Sequence, residues 1–205
     1  SGGPKLAAVK DLREVGQMSM STPQGDFSMT TDATIQFPDK FAQRMVTPMG
    51  EMSTVSDGKA MWMTTPQGVR DIPESQRGEL MASVVRNNIF LLQNFEKPRF
   101  TVQFLKEAVE DSRKFNFVLV KDSVTAMSMK LAIDAQTSQI VKKSYRGRTM
   151  GGPAEIDEIL SDYRDVSGVL LPFKTIFQQG GKKVAELTVT EVKINAGVSE
   201  KLFVK

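Results

Sequence analysis

Three copies of Thr-Pro-x-Gly, at Thr22-Pro23-Gln24-Gly25, Thr47-Pro48-Met49-Gly50 and Thr65-Pro66-Gln67-Gly68, constrain this chain more than any other feature. Proline presets φ for the first central turn position and lacks the N–H a central strand needs. Glycine accepts the positive φ that closes the turn. Asp57-Gly58 adds a hairpin signal of the primed-turn type. Strands over about 40–47, 50–57 and 60–65 fit between these turns, which is the spacing of an antiparallel meander. Upstream, Phe27, Met29, Thr31, Ala33, Ile35 and Phe37 alternate with Asp26, Ser28, Thr30, Asp32, Thr34 and Gln36. Such alternation belongs to a sheet with one wet face, and Met18 and Met20 share a face on the strand before it.

The remaining pattern extends the sheet and interrupts it once. Leu6, Val9 and Leu12 stand at helical spacing, which predicts a short entry helix over 5–13 packed on a sheet edge. Asp71-Ile72-Pro73-Glu74 resembles a capping box, and apolar positions from Leu80 to Phe95 recur near 3.6 residues. A helix over 74–94 is expected, interrupted near Asn87-Asn88 and ended by Lys97-Pro98. Its economical place is across the apolar face of the curved sheet, as a lid or a plug. Strands are expected over 101–110, 114–121, 124–134, 138–147, 154–165, 169–179 and 182–194, with a loop at Gly151-Gly152-Pro153 and a hairpin turn at Gly180-Gly181. Leu202 and Phe203 are placed to close the end of the sheet. No linker rich in Pro, Gly or Ser divides the 205 residues, so a single domain is expected.

Composition removes whole classes of chemistry. The chain has no histidine and no cysteine, which rules out Ser-His-Asp triads, cysteine nucleophiles, thiolate zinc sites and disulfides within it. No residue pattern implies a cofactor or a metal. Asp157/Glu158 and Asp162/Asp165 read as exposed strand-edge or loop charges and not as acid–base pairs, so no enzyme is expected. The net charge of +3, from 27 basic and 24 acidic residues, is a small excess that does not point to nucleic acid. Lys142, Lys143, Arg146 and Arg148 cluster, and the cluster reads as one solvated strand face. The opening Ser1-Gly2-Gly3 reads as the start of a mature product or of a fragment of a longer exported chain.

Eight of the 12 methionines lie between Met18 and Met63. Methionine fills irregular cores and also lines surfaces that accept varied apolar partners. On the second reading Met18, Met20, Phe27, Met29, Ile35, Phe37, Met45, Met61, Met63, Leu80, Val84, Leu91, Met127 and Met129 would line an apolar cavity for an acyl chain or apolar peptide. On the first reading they simply pack. Trp62, on the face opposite Met61 and Met63, is a packing or rim aromatic.

Pro38-Asp39-Lys40-Phe41, followed by Asp57-Gly58-Lys59 with Trp62 three residues on, resembles a pattern of the periplasmic outer-membrane lipoprotein carriers and lipoprotein-sorting proteins. Asp162-Tyr163-Arg164-Asp165-Val166-Ser167-Gly168-Val169-Leu170-Leu171-Pro172-Phe173 and Glu191-Val192-Lys193-Ile194-Asn195 are similar to that superfamily's closing segments. The resemblance implies a mainly β chain with helices (α+β): an open, incomplete antiparallel β-barrel with helices against its concave face. It implies non-catalytic binding of lipid or acylated protein in an extracytoplasmic compartment, with Arg44 as the barrel residue that holds the lid. Relatives also occur as modules appended to larger exported proteins, including insulinase-type zinc peptidases, which is the alternative it offers.

Overall fold

The computed structural model describes residues 3–22, 25–149 and 152–205. After a one-turn helix α1 (Gly3–Ala7) the chain runs β1 (Asp11–Thr22), β2 (Gly25–Gln36), β3 (Lys40–Thr47), β4 (Gly50–Asp57), β5 (Met61–Thr65) and β6 (Gly68–Asp71). Two helices follow, α2 (Glu74–Val85) and α3 (Asn88–Asn94). Then come β7 (Phe100–Glu110), β8 (Arg113–Asp122), β9 (Ser128–Asp134), β10 (Ile140–Thr149), β11 (Gly152–Val166), β12 (Val169–Gln179) and β13 (Lys182–Ile194). A short 3₁₀ turn, Glu200–Phe203, lies in the tail.

All 13 strands form one antiparallel sheet in the order β6-β5-β4-β3-β2-β1-β13-β12-β11-β10-β9-β8-β7. Two meanders, β1–β6 and β7–β13, are joined where β1 pairs with β13. The sheet is open, with β6 and β7 as its edges, and the segment connecting those edges is α2–α3. The helices therefore cross the concave face as expected of a lid. Val84, Val85, Phe90 and Leu91 are buried there between Phe41 and Met61 of one meander and Val120, Met129 and Leu131 of the other. Each such side chain contributes about 1.5–3 kcal/mol of burial.

The three repeated turns share one device beyond their proline and glycine. In each, the threonine hydroxyl donates to the glycine carbonyl: Thr22 to Gly25 at 2.8 Å, Thr47 to Gly50 at 3.0 Å and Thr65 to Gly68 at 3.4 Å. Thr149 and Gly152 repeat the contact at 2.8 Å between β10 and β11. The inner residues of the first turn, Pro23 and Gln24, and Gly151 of the expected loop lie outside the described residues. Gly152 and Pro153 already belong to β11.

Several expectations are corrected. The entry helix stops at Ala7, and Leu12 lies in β1, central in the sheet, where it pairs with Ile35 and Ile194. Leu6, Val9 and Leu12 nevertheless share one cluster, packed with Ile89, Val169 and Leu171. No capping box forms: Pro73 is the N-cap of α2, and Asp71 pairs with Lys205 at 2.7 Å. The strand expected from 124 begins at Ser128. Before it, the fully buried Asp122 carboxylate accepts from Thr125 N (3.2 Å) and Oγ1 (2.6 Å), folding 123–127 as a loop. β6 was not foreseen. The tail does not close the end of the sheet; Phe203 packs on its outer face against Ala42, Val55 and Trp62.

The turn glycines give a direct test. Gly68 has φ 120° with open space where a Cβ would stand, whereas at Gly50 (φ 123°) the Cβ would meet Pro66 Cγ at 2.9 Å. Gly68→Ala is expected to destabilise the protein by about 1–3 kcal/mol from backbone strain alone, and Gly50→Ala by more. Urea unfolding measures both.

Candidate binding cavity

The site follows from the break between the two helices. Asn87 is the N-cap of α3, its side chain accepting from Ile89 N at 2.9 Å, so the chain turns between Val85 and Asn88. Gln93 then fixes α3 to the N-terminal segment, with Nε2 2.8 Å from both the Leu6 and Val9 carbonyls. Two cavities result, one on each side of this joint, and Asn88 and Leu171 line both.

The first, about 250 Å³, lies between α3 and the strands of the second meander. Its walls are apolar, from Leu91 and Leu92 of α3, Val118 and Val120 of β8, Leu131 of β9 and Ile140 of β10. Phe95, Val102 and Leu170, all exposed, also line it. Its polar members are Asn88 and Tyr163, together with Ser138 and Gln139 from the turn between β9 and β10. The Tyr163 hydroxyl donates to the Ile140 carbonyl, and burial pushes its pKa up.

The second cavity, about 340 Å³, lies beneath the α2–α3 joint and holds a polar cluster. Lys143, 5% exposed, donates to the Arg86 carbonyl at 2.6 Å and stands 3.5 Å from Glu158. Tyr145 donates to the other Glu158 oxygen at 2.6 Å, and the Arg86 guanidinium lies 4.2 Å from the Tyr145 ring centroid. Arg86 is also 3.7 Å from Glu79. Burial lowers the Lys143 pKa, with Glu158 opposing that shift, and burial pushes the Glu14 carboxyl up to about 7 despite Lys143 nearby. The cluster bolts the helix joint to β10 and β11.

The residues expected to line one cavity are dispersed over several regions of the fold. Of the fourteen apolar residues proposed from the sequence, only Leu91 lines the apolar cavity, while Ile35 and Val84 line the polar one. Met61, Met127 and Met129 are closed into the core, with Phe37 packed against it; Met63 and Leu80, also packed against it, meet at a separate surface cleft. Met18, Met20, Phe27 and Met29 form cross-strand rows, Met18 opposite Met29 and Met20 opposite Phe27, and Met45 faces Thr31 and Met52; none of the five lines either cavity. Arg44 is on the outer face, opposite Asp32 and Ser53, and forms an ion pair with Glu51. It does not hold the helices; Lys143 makes that contact. Lys143 therefore is not part of a solvated face, and Glu158 is not an exposed strand-edge charge. The alternation of β10 carried the signal, since Lys143 and Tyr145 fall two apart on one face.

No protein-family model matches the sequence, and no curated protein matches it significantly. Solved structures do match in fold. A LolA superfamily protein from Nitrosomonas europaea aligns with a TM-score of 0.68 at 14% identity, over 95% of this chain and 90% of its own. An outer membrane lipoprotein-sorting protein domain from Vibrio parahaemolyticus gives 0.65 at 13% identity, over 94% and 88%. A DUF1329 family protein from Desulfovibrio piger gives 0.68 at 11% identity, over 98% and 92%. The chain has the LolA-type fold that the motif resemblance implied.

Two outcomes check the polar cluster. Lys143→Met leaves Glu158 and the Arg86 carbonyl short of a partner and is expected to cost about 3 kcal/mol or more in urea unfolding. Glu14 binds a proton in the folded state up to about pH 7 but ionises near 4.5 when unfolded. Stability contributed by its protonated form is thus full below 4.5 and declines as pH rises through 7. Glu14 is partly exposed, so the loss is discounted to about 1–3 kcal/mol. Glu14→Gln should remove that decline and exceed the parent's stability at pH 8.

Proposed function

We propose that this protein binds the acyl chain of a lipid or acylated protein, without catalysis, in the cavity between α3 and β8–β10. The observation that carries the reading is an apolar cavity under a helix that crosses an open sheet, with exposed apolar residues at its rim. Burial alone suffices for such binding, at about 0.8 kcal/mol per methylene withdrawn from water. Exposed Phe95, Val102 and Leu170 give the cavity an apolar rim that a chain can cross without meeting charge.

The fold supports the same reading, since the similar structures include a lipoprotein-sorting domain. Among the described residues no helix is long and apolar enough to cross a membrane. The polypeptide is read as one carrier-type domain acting outside the cytoplasm.

Native mass spectrometry with added monopalmitoyl glycerol tests this. The protein is expected to take up one molecule, and Val118→Trp, which fills the cavity from its β8 wall, should weaken uptake about tenfold or more. Met20→Trp, remote from the cavity, should leave uptake unchanged. A mass free of lipid at every concentration would overturn the reading.

A further inference from the structure

The second cavity holds a carboxyl that its polar cluster does not use. Glu14 of β1 lines that cavity and is partly exposed. Among the described residues it has neither a hydrogen bond nor an ion pair. Ala33 of β2 lies opposite it, and Gln43 of β3 lies opposite Ala33. The small alanine leaves a gap between two longer polar side chains carried two strand spacings, about 10 Å, apart. Leu187 and Val189 of β13 add apolar wall.

The charges around Glu14 leave it without a counter-charge. Lys143 of β10 is held by Glu158 of β11 and by the Arg86 carbonyl, and the Arg86 guanidinium has Glu79 and the Tyr145 ring. β2, β3, β12 and β13 present Ala33, Gln43, Thr175 and Val189, none of them charged. The other polar lining residues are committed or out of reach. Ser83 donates to the Leu80 carbonyl, Asn87 caps α3, and Thr34 is on the outer face with Ala42. The Asn88 Oδ1 also lacks a partner among the described residues, but it is enclosed where no ligand meets it.

We propose that this cavity is a second binding site, for a small organic cation: a primary ammonium on a short hydrocarbon arm, with its N–H groups donated to Glu14. The volume of about 340 Å³ sets the short arm, and the apolar wall receives it. A carboxylate ligand would bring a third negative charge to Glu14 and Glu158. An alcohol can share a proton with Glu14 but brings no charge. Burial holds the Glu14 pKa at about 7. An ammonium that binds below that pH therefore expels the Glu14 proton, whereas above it the carboxylate is already formed.

This site is separate from the acyl-chain cavity. Hexylamine, hexanol and hexanoate, titrated by calorimetry into the parent, Glu14→Gln and Val118→Trp, test it. At pH 8 the parent is expected to bind hexylamine about tenfold tighter than hexanol, with hexanoate weakest. Its affinity for the amine should fall about tenfold from pH 8 to pH 6, with about one proton released per amine bound at pH 6. Glu14→Gln keeps the shape and removes the charge, so it should bind amine and alcohol alike and lose the pH dependence. Val118→Trp, in the other cavity, should change neither. Equal binding of amine and alcohol by the parent, a preference that survives in Glu14→Gln, or an affinity unchanged between pH 6 and 8 overturns the site. Loss of amine binding in Val118→Trp assigns the amine to the acyl-chain cavity and overturns it too. Failure of the parent to bind hexylamine at pH 8 also overturns it, and leaves acyl-chain binding to its own test with monopalmitoyl glycerol.

Discussion

The architecture depends on how an open sheet deals with its concave face. The 13 strands bury one side only if something apolar is laid across it, and the connectivity supplies that element between the two edges. Because α2 and α3 join β6 to β7, the helical segment is tied at both ends to the two edges of the sheet. Core residues from both meanders close on the same helical side chains, so the helices also couple the two halves of the sheet.

The joint at Arg86–Asn87 divides that concavity by chemistry. On the α3 side the walls are mostly aliphatic and a cavity stays open. On the α2 side the chain brings Lys143, Tyr145 and Glu158 beneath the joint, where each is bonded to another or to the helix backbone. Buried charges are tolerated when they are mutually satisfied, and this satisfaction locks one geometry for the joint. Asn88, the first residue of α3, sits in the wall between the two regions and lines both cavities.

Much of the fold was legible because its signals are local. Thr47-Pro48-Met49-Gly50 ends one strand and starts the next whatever surrounds it, and Gly180-Gly181 takes positive φ at both residues, as a two-residue hairpin turn requires. The alternation through β2 placed Ile35 inward correctly, and the helix break was marked by Asn87-Asn88. What misled was pattern without context. Alternation from Val124 looked like strand, but Asp122 folded that stretch into a loop. Leu6, Val9 and Leu12 looked like one helix, yet they reach one cluster from a helical turn, a loop and a strand. The methionines were conspicuous by composition, whereas the open cavity is lined by leucine, isoleucine and valine, which carry no compositional signal.

By itself the sequence determined the turns, the strand alternation, the helical interruption and, through its motifs, the fold, because each depends on backbone preferences or on short-range order. It also excluded histidine and cysteine chemistry outright. Only the tertiary structure decided where empty space remains, since a void is what distant side chains fail to fill. The same holds for Lys143 and Asn88. A lysine on a strand is ordinarily solvated and an asparagine at a helix start is ordinarily a cap. Their burial, and the unpaired oxygen of Asn88, arise only where β10, β11 and the helix joint converge.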